Sequence, residues 1–133
     1  MKYYVGIDLG GTNIVAGIIN ENFEILSKAQ TKTNLPRHAK DICEDMISVT
    51  KGAIKSAGLH TEDIESIGIG TPGIANSDHG VIEYSCNLGF ENVHMEQMFR
   101  QKINLPVYIE NDANAAAYGE YIAGAAKGAK DAV

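Results

Sequence analysis

The sequence has little positive charge, and this excludes some partners. Its 133 residues include 11 Lys and Arg against 17 Asp and Glu, for a formal net charge of -6. A surface that binds nucleic acid or an anionic membrane needs clustered cations to neutralise phosphates, and the Lys and Arg residues are scattered. We therefore expect neither partner. Any bound phosphate is expected to be held mainly by backbone N–H groups, a helix terminus or a metal ion.

Cysteine and long apolar stretches are also scarce. Cys43 and Cys86 lie far apart without a Cys-x-x-Cys pair, and the four histidines are dispersed, so neither a disulfide framework nor a metal site is predicted. No apolar run is long enough to span a bilayer, and the residues after Met1 lack the pattern of a signal peptide. These features predict one globular domain in a reducing, cytoplasmic compartment.

The first third of the chain is predicted to form three antiparallel strands. Tyr3 to Leu9 and Ile14 to Ile19 are strand-like runs joined by a Gly-rich turn, which suits a hairpin because glycine reaches positive φ without steric cost. A reversal at 20–22 leads into a looser strand pattern that ends near Thr33.

The rest of the chain alternates helices and strands. Apolar residues at helical spacing predict an amphipathic helix over 38–57, with Gly58 at its C-terminal cap. The elements predicted after it are a strand at 64–69, a short strand at 80–84, a short helix at 95–103, an apolar strand at 105–109 and a helix of small residues at 113–126. This order predicts the α/β class, with a mixed five-stranded sheet and flanking helices.

The first candidate site is the turn between the first two strands, with Asp8, Gly10, Gly11, Thr12 and Asn13. Without Cβ atoms at the two glycines, a polyphosphate can approach the backbone and accept several N–H hydrogen bonds. Thr12 and Asn13 can donate further ones, and Asp8 could hold Mg²⁺ through water. The alternative is an ordinary hairpin turn with Asp8 as a turn residue.

The second candidate is the segment from Glu110 to Ala117, where a buried strand passes into a predicted helix. Ligand sites form at such strand ends in open α/β sheets. Asp112 is a candidate general base for a hydroxyl that attacks a phosphoryl group, because a carboxylate is ionised at neutral pH. Asn111 can donate and accept, which suits a sugar hydroxyl. The alternative is that Asp112 only caps the helix.

The third candidate, Gly68 to Gly73, has the Gly-x-Gly-x-x-Gly spacing of a dinucleotide fold. The dinucleotide version must open a helix, whereas the following residues lead into a strand pattern. We interpret it as a sharp turn whose backbone at Gly73 lines a sugar pocket, with an ordinary Pro-Gly turn as the alternative. Asn87, in the next loop, could contact a polyol or could be only a turn residue.

These three motifs, in this order, resemble the ROK family of bacterial sugar kinases and repressors, most closely its glucokinases. The resemblance covers the whole chain and implies a ribonuclease-H-like lobe of the actin and hexokinase type. It implies that the Gly-rich turn contacts the nucleotide phosphates and that Asp112 is the base on the sugar 6-hydroxyl. It also implies that Gly73, Asn87 and Asn111 bind the sugar, although Asn87-Leu88-Gly89-Phe90 departs from the Asn-Leu-Pro-Gly-Trp-like loop of many relatives.

The implied activity is that of a glucokinase-type sugar kinase, which uses ATP and Mg²⁺ to phosphorylate a hexose, with glucose giving glucose 6-phosphate. Residues 1–133 are then expected to be the N-terminal lobe of a two-lobed enzyme, inactive by itself and a homo-oligomer when complete. The family's second phosphate loop, adenosine pocket and structural zinc site are expected after Val133.

Two other functions are open at this point. A sugar-sensing repressor of the same family carries a helix-turn-helix before its sugar lobe, whereas here the first strand begins at Tyr3 and the charge is acidic. A non-catalytic actin-like ATPase would use the same hairpin, but it needs no base for a sugar hydroxyl, so Asn111 and Asp112 disfavour it.

Overall fold

The computed structural model describes residues 1–22, 24–71, 74–76, 80–85 and 88–111, with the backbone alone at 74, 75, 110 and 111. The elements in chain order are β1 (Tyr3–Leu9), β2 (Asn13–Asn20), β3 (Ile25–Lys32), α1 (Ala39–Ser56), a 3₁₀ turn (Thr61–Asp63), β4 (Ile64–Thr71), β5 (Ile74–Asn76), β6 (Val81–Ser85), β7 (Phe90–Val93), α2 (Met95–Arg100) and β8 (Val107–Asn111). The helix predicted at 113–126 lies outside these residues.

The main sheet has five strands in the order β3-β2-β1-β4-β8. Strand β2 is antiparallel to both of its neighbours, whereas β1, β4 and β8 are parallel to one another. This confirms the predicted α/β class and the mixed five-stranded sheet with three antiparallel N-terminal strands.

One face of this sheet forms the core. The register aligns two buried rows across four strands: Ile18, Val5, Ile67 and Val107 in one, and Ala16, Ile7, Ile69 and Ile109 in the other. Helix α1 packs on β2 and β3, α2 packs on β8, and the two helices contact each other, so both cover this same face. Because side chains alternate along a strand, Asp8 lies on the opposite face.

Helix α1 forms and ends as its sequence predicts. Its apolar stripe is buried, including Ile42 and Met46, each fully inaccessible. Gly58 has φ 74°, its N–H donates to the carbonyl of Lys55, and the next amide, Leu59, donates to Ile54. This hydrogen-bond pair is the Schellman motif, in which glycine at positive φ satisfies the last carbonyls of the helix.

The structure has a second, three-stranded sheet with the order β5-β6-β7, which the sequence predicted only in part. Only β6 was predicted, because β5 and β7 have three and four residues, too few for an alternating pattern to emerge. Strand β5 contacts β8, and β6 contacts α2, so this sheet lies beside the end of the main one. The predicted helix at 95–103 ends earlier, at Arg100, and the predicted strand at 105–109 is shifted to Val107–Asn111.

Among the described helices, none has the length and apolar character needed to cross a membrane.

Candidate functional site

Three strands that precede candidate motifs end at the same edge of the main sheet. In the parallel register, Asp8 of β1 lies beside Gly70 of β4, which lies beside Glu110 of β8, and Thr71 pairs with Asn111. Neighbouring strands are about 4.8 Å apart, so the backbones of β1 and β8 are separated by roughly 10 Å here. The carboxyl ends of parallel strands are where ligands bind in open α/β sheets.

The structure describes only part of the predicted site. Asp8, Gly10, Gly11, Thr12 and Asn13 are all described. Asn111 is described in its backbone alone, and three predicted site residues lie outside the described ranges: Gly73, Asn87 and Asp112.

The turn between β1 and β2 comprises residues 10–13 and is called the glycine turn below. Two of its backbone donors have no partner among the described residues. The Gly10 N–H donates to the Asn13 carbonyl at 3.0 Å, which closes the hairpin. Gly11 and Thr12 are exposed, and their amides donate to no other residue in the described part of the chain. Exposed and unpaired backbone N–H groups in a turn are suited to binding an anion.

Space for a side chain is tight at position 10. A Cβ atom placed there would lie 3.0 Å from the carbonyl oxygen of Asn13, a contact that real Cβ atoms rarely make. The backbone φ of Gly10 is outside the left-handed region, which favours glycine. The sequence-based reason, access to positive φ, therefore does not apply to Gly10.

Asp8 is exposed on the face that α1 and α2 leave uncovered. In register it lies between Val15 of β2 and Gly70 of β4, so one of its neighbours has no side chain. A single accessible carboxylate beside a turn that can bind phosphates fits Mg²⁺, which keeps several waters and takes its other ligands from phosphate oxygens.

Sequence reasoning missed a cation close to the glycine turn. Lys32, the last residue of β3, pairs with Asn13 across the β2–β3 ladder and is exposed. Paired residues point to the same side of a sheet, so Lys32 is on the face of Asn13 and Asp8, opposite the buried Ile14. Counting ladder pairs outward from the reversal at 20–22 does not bring the two residues together, because the register shifts between Ile18 and Ile19.

Thr33, which follows β3, was likewise overlooked as a site residue. Its side chain is fully inaccessible, and its hydroxyl donates to the Gly10 carbonyl at 2.7 Å. Its backbone N–H donates to the Thr12 carbonyl at 2.9 Å. Thr33 thus lies directly behind the glycine turn, a contact between residues 21 to 23 positions apart that no local pattern signals.

The Gly-x-Gly-x-x-Gly segment is not a dinucleotide site. Gly68 and Gly70 lie within β4, and the next element after it is the strand β5. A dinucleotide turn must open a helix whose N-terminus holds the pyrophosphate. The prediction that this spacing is misleading is therefore confirmed.

The described cysteine and histidines offer little for catalysis. Cys43 is buried, and burial, with a smaller contribution from Glu44, raises the pKa of its thiol to about 11, so it is neutral at neutral pH. His38, His60 and His94 are exposed. Among the described residues, no cluster of three or more His, Cys, Asp and Glu side chains could hold a metal ion.

Comparison with known proteins shows relatives of two kinds. The chain is 33% identical, over all of its 133 residues, to a glucokinase from Streptomyces coelicolor, of which it covers 40%. It is 36% identical over 123 residues to a xylose repressor from Caldicellulosiruptor bescii, a match covering 87% of this chain and 29% of the repressor. The chain thus spans about two fifths of the length of the kinase and less of the repressor.

The fold agrees with these relationships. The crystal structure of a ROK family glucokinase from Streptomyces griseus, in complex with glucose and AMPPNP, superposes with a TM-score of 0.78 at 34% identity. The match covers 90% of this chain and 36% of that one. The family model of ROK proteins matches residues 4–133, so nearly the whole sequence carries the family pattern, and this chain belongs to the ROK family.

Proposed function

We propose that this chain is the N-terminal lobe of a ROK sugar kinase that transfers the γ-phosphoryl group of ATP to the 6-hydroxyl of a hexose, with glucose as its substrate. The observation that carries the proposal is a pair of exposed residues, Gly11 and Thr12, whose amides donate to no residue in the described ranges, at the sheet edge where β8 ends at Asn111. The similarity to glucokinases, one of them solved with glucose and AMPPNP, supports it.

In this proposal the glycine turn binds the nucleotide phosphates. The amides of Gly11 and Thr12 donate to phosphate oxygens, and Asn13 donates through its side chain. Asp8 holds Mg²⁺ through water, and the ion offsets the charge on the phosphates. The chain is acidic overall, so backbone donors and a metal ion, rather than a group of cationic side chains, neutralise the nucleotide.

Asp112 acts as the general base. In the sequence Asp112 directly follows Asn111, the last described residue of β8, which pairs with Thr71. The distance of roughly 10 Å from β8 to β1 leaves room for a sugar hydroxyl and a terminal phosphate between base and turn. Asn111, Gly73 and Asn87 are proposed to orient the sugar, so that the hydroxyl attacks in line and catalysis comes mainly from positioning.

The rest of the enzyme completes the site. Because the chain spans about two fifths of the glucokinase it resembles, we propose that a second lobe supplies the adenosine pocket and further sugar ligands. Residues 1–133 alone are then expected to phosphorylate no sugar, and turnover of glucose by the purified 133-residue chain would contradict this.

The proposal is tested with Asp112→Asn in the complete protein. Loss of the base should reduce turnover of glucose by roughly 10³-fold while the dissociation constant for glucose changes little. ADP release measures turnover, and calorimetry measures sugar binding. Glu62→Gln, at an exposed position in the 3₁₀ turn, is the matched control and should keep wild-type turnover. Wild-type turnover by Asp112→Asn would leave Asp112 with a capping role only.

A second candidate is a sugar-responsive transcriptional regulator, which the similarity to a xylose repressor favours. The same assays distinguish the two functions. A regulator would bind sugar without releasing ADP from ATP, and the sugar would change its affinity for operator DNA. Titration with glucose, N-acetylmannosamine and fructose also identifies the preferred ligand in either case.

A further inference from the structure

Thr33 joins the glycine turn to the connection between β3 and α1. All three of its polar groups are hydrogen-bonded: the hydroxyl to the Gly10 carbonyl at 2.7 Å, the N–H to the Thr12 carbonyl at 2.9 Å, and the carbonyl to Nη1 of Arg37 at 3.2 Å. Its side chain is fully buried. A buried threonine with every polar group paired is held in one orientation.

The bond to Gly10 determines where the Gly11 amide points. The carbonyl of Gly10 and the N–H of Gly11 belong to one planar trans peptide, so they point in opposite directions. With the carbonyl bound by the Thr33 hydroxyl, the Gly11 N–H is directed away from Thr33, towards the exposed side of the turn. This is an amide that donates to no other residue in the described ranges.

A peptide between two glycines needs such an anchor. Neither Gly10 nor Gly11 has a Cβ to restrict its φ and ψ, so this peptide plane can rotate more easily than one between ordinary residues. Without the Thr33 hydroxyl, the Gly11 amide would sample orientations that cannot reach an anion, and ordering it on binding would cost conformational entropy.

The anchor is itself attached to α1. Arg37 donates to the Thr33 carbonyl, to the carboxylate of Asp45 and, at 3.3 Å, to the carbonyl of Asp41. An arginine guanidinium is charged at neutral pH, and the hydrogen bond to Asp45 raises the pKa of Arg37 further above its ordinary value. The glycine turn is therefore tied through Thr33 and Arg37 to a helix that packs on the core.

We infer that Thr33 is a positioning residue for nucleotide binding, whose hydroxyl orients the Gly11 amide towards a phosphate oxygen. This rests on the proposed function, since it assigns the ligand of the glycine turn as a nucleotide. Thr33 has a fully buried side chain and acts through the backbone of the turn.

The test compares Thr33→Val, Thr33→Ser and Thr50→Val in the complete protein. Thr50 in α1 is also fully buried, but its hydroxyl has no hydrogen-bond partner in the described chain, so Thr50→Val removes a hydroxyl without removing a bond. Calorimetry with Mg²⁺ and AMPPNP should show affinity about tenfold weaker for Thr33→Val. Thr33→Ser, which keeps the hydroxyl, and Thr50→Val should stay within about twofold of wild type.

Glucose binding serves as a control that shows whether the loss of affinity in Thr33→Val is specific to the nucleotide. All three variants should bind glucose like the wild type, and the KM for ATP should rise in Thr33→Val while the KM for glucose does not. Wild-type nucleotide affinity in Thr33→Val overturns the inference but not the proposed function. Absence of nucleotide binding by the wild type overturns the proposed function itself.

Hydrogen exchange decides the question if Thr33→Val does not fold. In the wild-type protein, Mg²⁺ and AMPPNP should slow amide exchange in peptides covering 9–13 and also at Thr33, because the turn and its anchor are ordered together. Glucose alone should slow neither. Protection restricted to 9–13 would overturn the role assigned to Thr33.

Discussion

The two hairpin turns at the ends of β2 use their backbone amides differently. In the asparagine turn (residues 20–22 and 24), Oδ1 of Asn20 accepts from the amides of Asn22 and Glu24 at 2.8 and 3.0 Å, and the Glu21 amide donates to Lys2. In the glycine turn, the amides of Gly11 and Thr12 donate to no other described residue. The described amides of the asparagine turn beyond its first residue are thus paired, whereas two amides of the glycine turn have no partner among the described residues.

The two turns also differ in the charged residues near them and in the side chain that holds each one in place. Glu21 and Glu24 bring two carboxylates to the asparagine turn, which repel an anion, whereas Lys32 lies opposite Asn13 of the glycine turn. The asparagine turn is held by one of its own side chains. The glycine turn is instead held by a side chain from outside it, through the hydroxyl of Thr33. The donors without a partner among the described residues, more than the number of glycines, are the reason the glycine turn is the one proposed to bind phosphate.

The largest effect on stability is expected at the asparagine turn. Asn20→Ala removes three side-chain hydrogen bonds at a position only 3% exposed, including the one from Nδ2 to Glu24. The free energy of unfolding, measured by urea denaturation, should fall by roughly 2–3 kcal/mol. Asn22→Ala, an exposed asparagine two residues on, should change it by less than about 0.5 kcal/mol.

Nucleotide affinity should be unchanged in Asn20→Ala, since the asparagine turn is at the opposite end of β2. A loss of affinity as large as that of Thr33→Val would show that the two turns are not independent. The contrast between a structural turn and a binding turn would then be wrong.

A smaller effect is expected when a Cβ atom is added to the glycine turn. In Gly10→Ala the new Cβ, 3.0 Å from the Asn13 carbonyl, must displace the backbone, which should lower the free energy of unfolding by about 1–2 kcal/mol and weaken nucleotide binding. Gly52→Ala in α1 is the control, because its Cβ would meet only Ala29 at 4.0 Å. That change should stabilise the protein by about 0.5–1 kcal/mol through helix propensity. Equal stability of the two variants would contradict the crowding at Gly10.

The smallest effect concerns the cation beside the glycine turn. Lys32→Met should weaken binding of the nucleotide by about twofold at low salt and not measurably in high salt, because an exposed charge is screened. Lys28→Met lies on the same strand and face but about 13 Å further from the turn, and it should have no effect. An equal effect of both variants would mean that Lys32 acts through net charge only.

Much of the main sheet and α1 was predictable because the signals are local. The alternation in Tyr3–Leu9 and Asn13–Asn20, the helical period of α1 and the glycine at its C-cap each depend on residues a few positions apart. The short strands β5 and β7 were missed because so few residues carry no periodicity. They are specified by pairing with β6 rather than by their own pattern.

The candidate site likewise has a part that local sequence reveals and a part that depends on strand pairing. The sequence alone identified the glycine turn as a candidate for phosphate binding and Asp8 as a candidate for holding Mg²⁺ through water, since glycine, hydroxyl and carboxylate chemistry is visible in nearby residues. It did not reveal Thr33 or Lys32, which reach the turn only when β3 pairs with β2. Nor did it establish that Asp8, Gly70 and Glu110 share one edge.

The amino-acid sequence by itself determined which segments become strands or helices and which residue types are available for chemistry. Tertiary structure decided which of these meet, because the register between strands distant in sequence depends on burying one face of every strand at once. That requirement placed Thr33 behind the glycine turn. It also placed Gly11 and Thr12, whose amides have no partner among the described residues, at the shared edge of β1, β4 and β8.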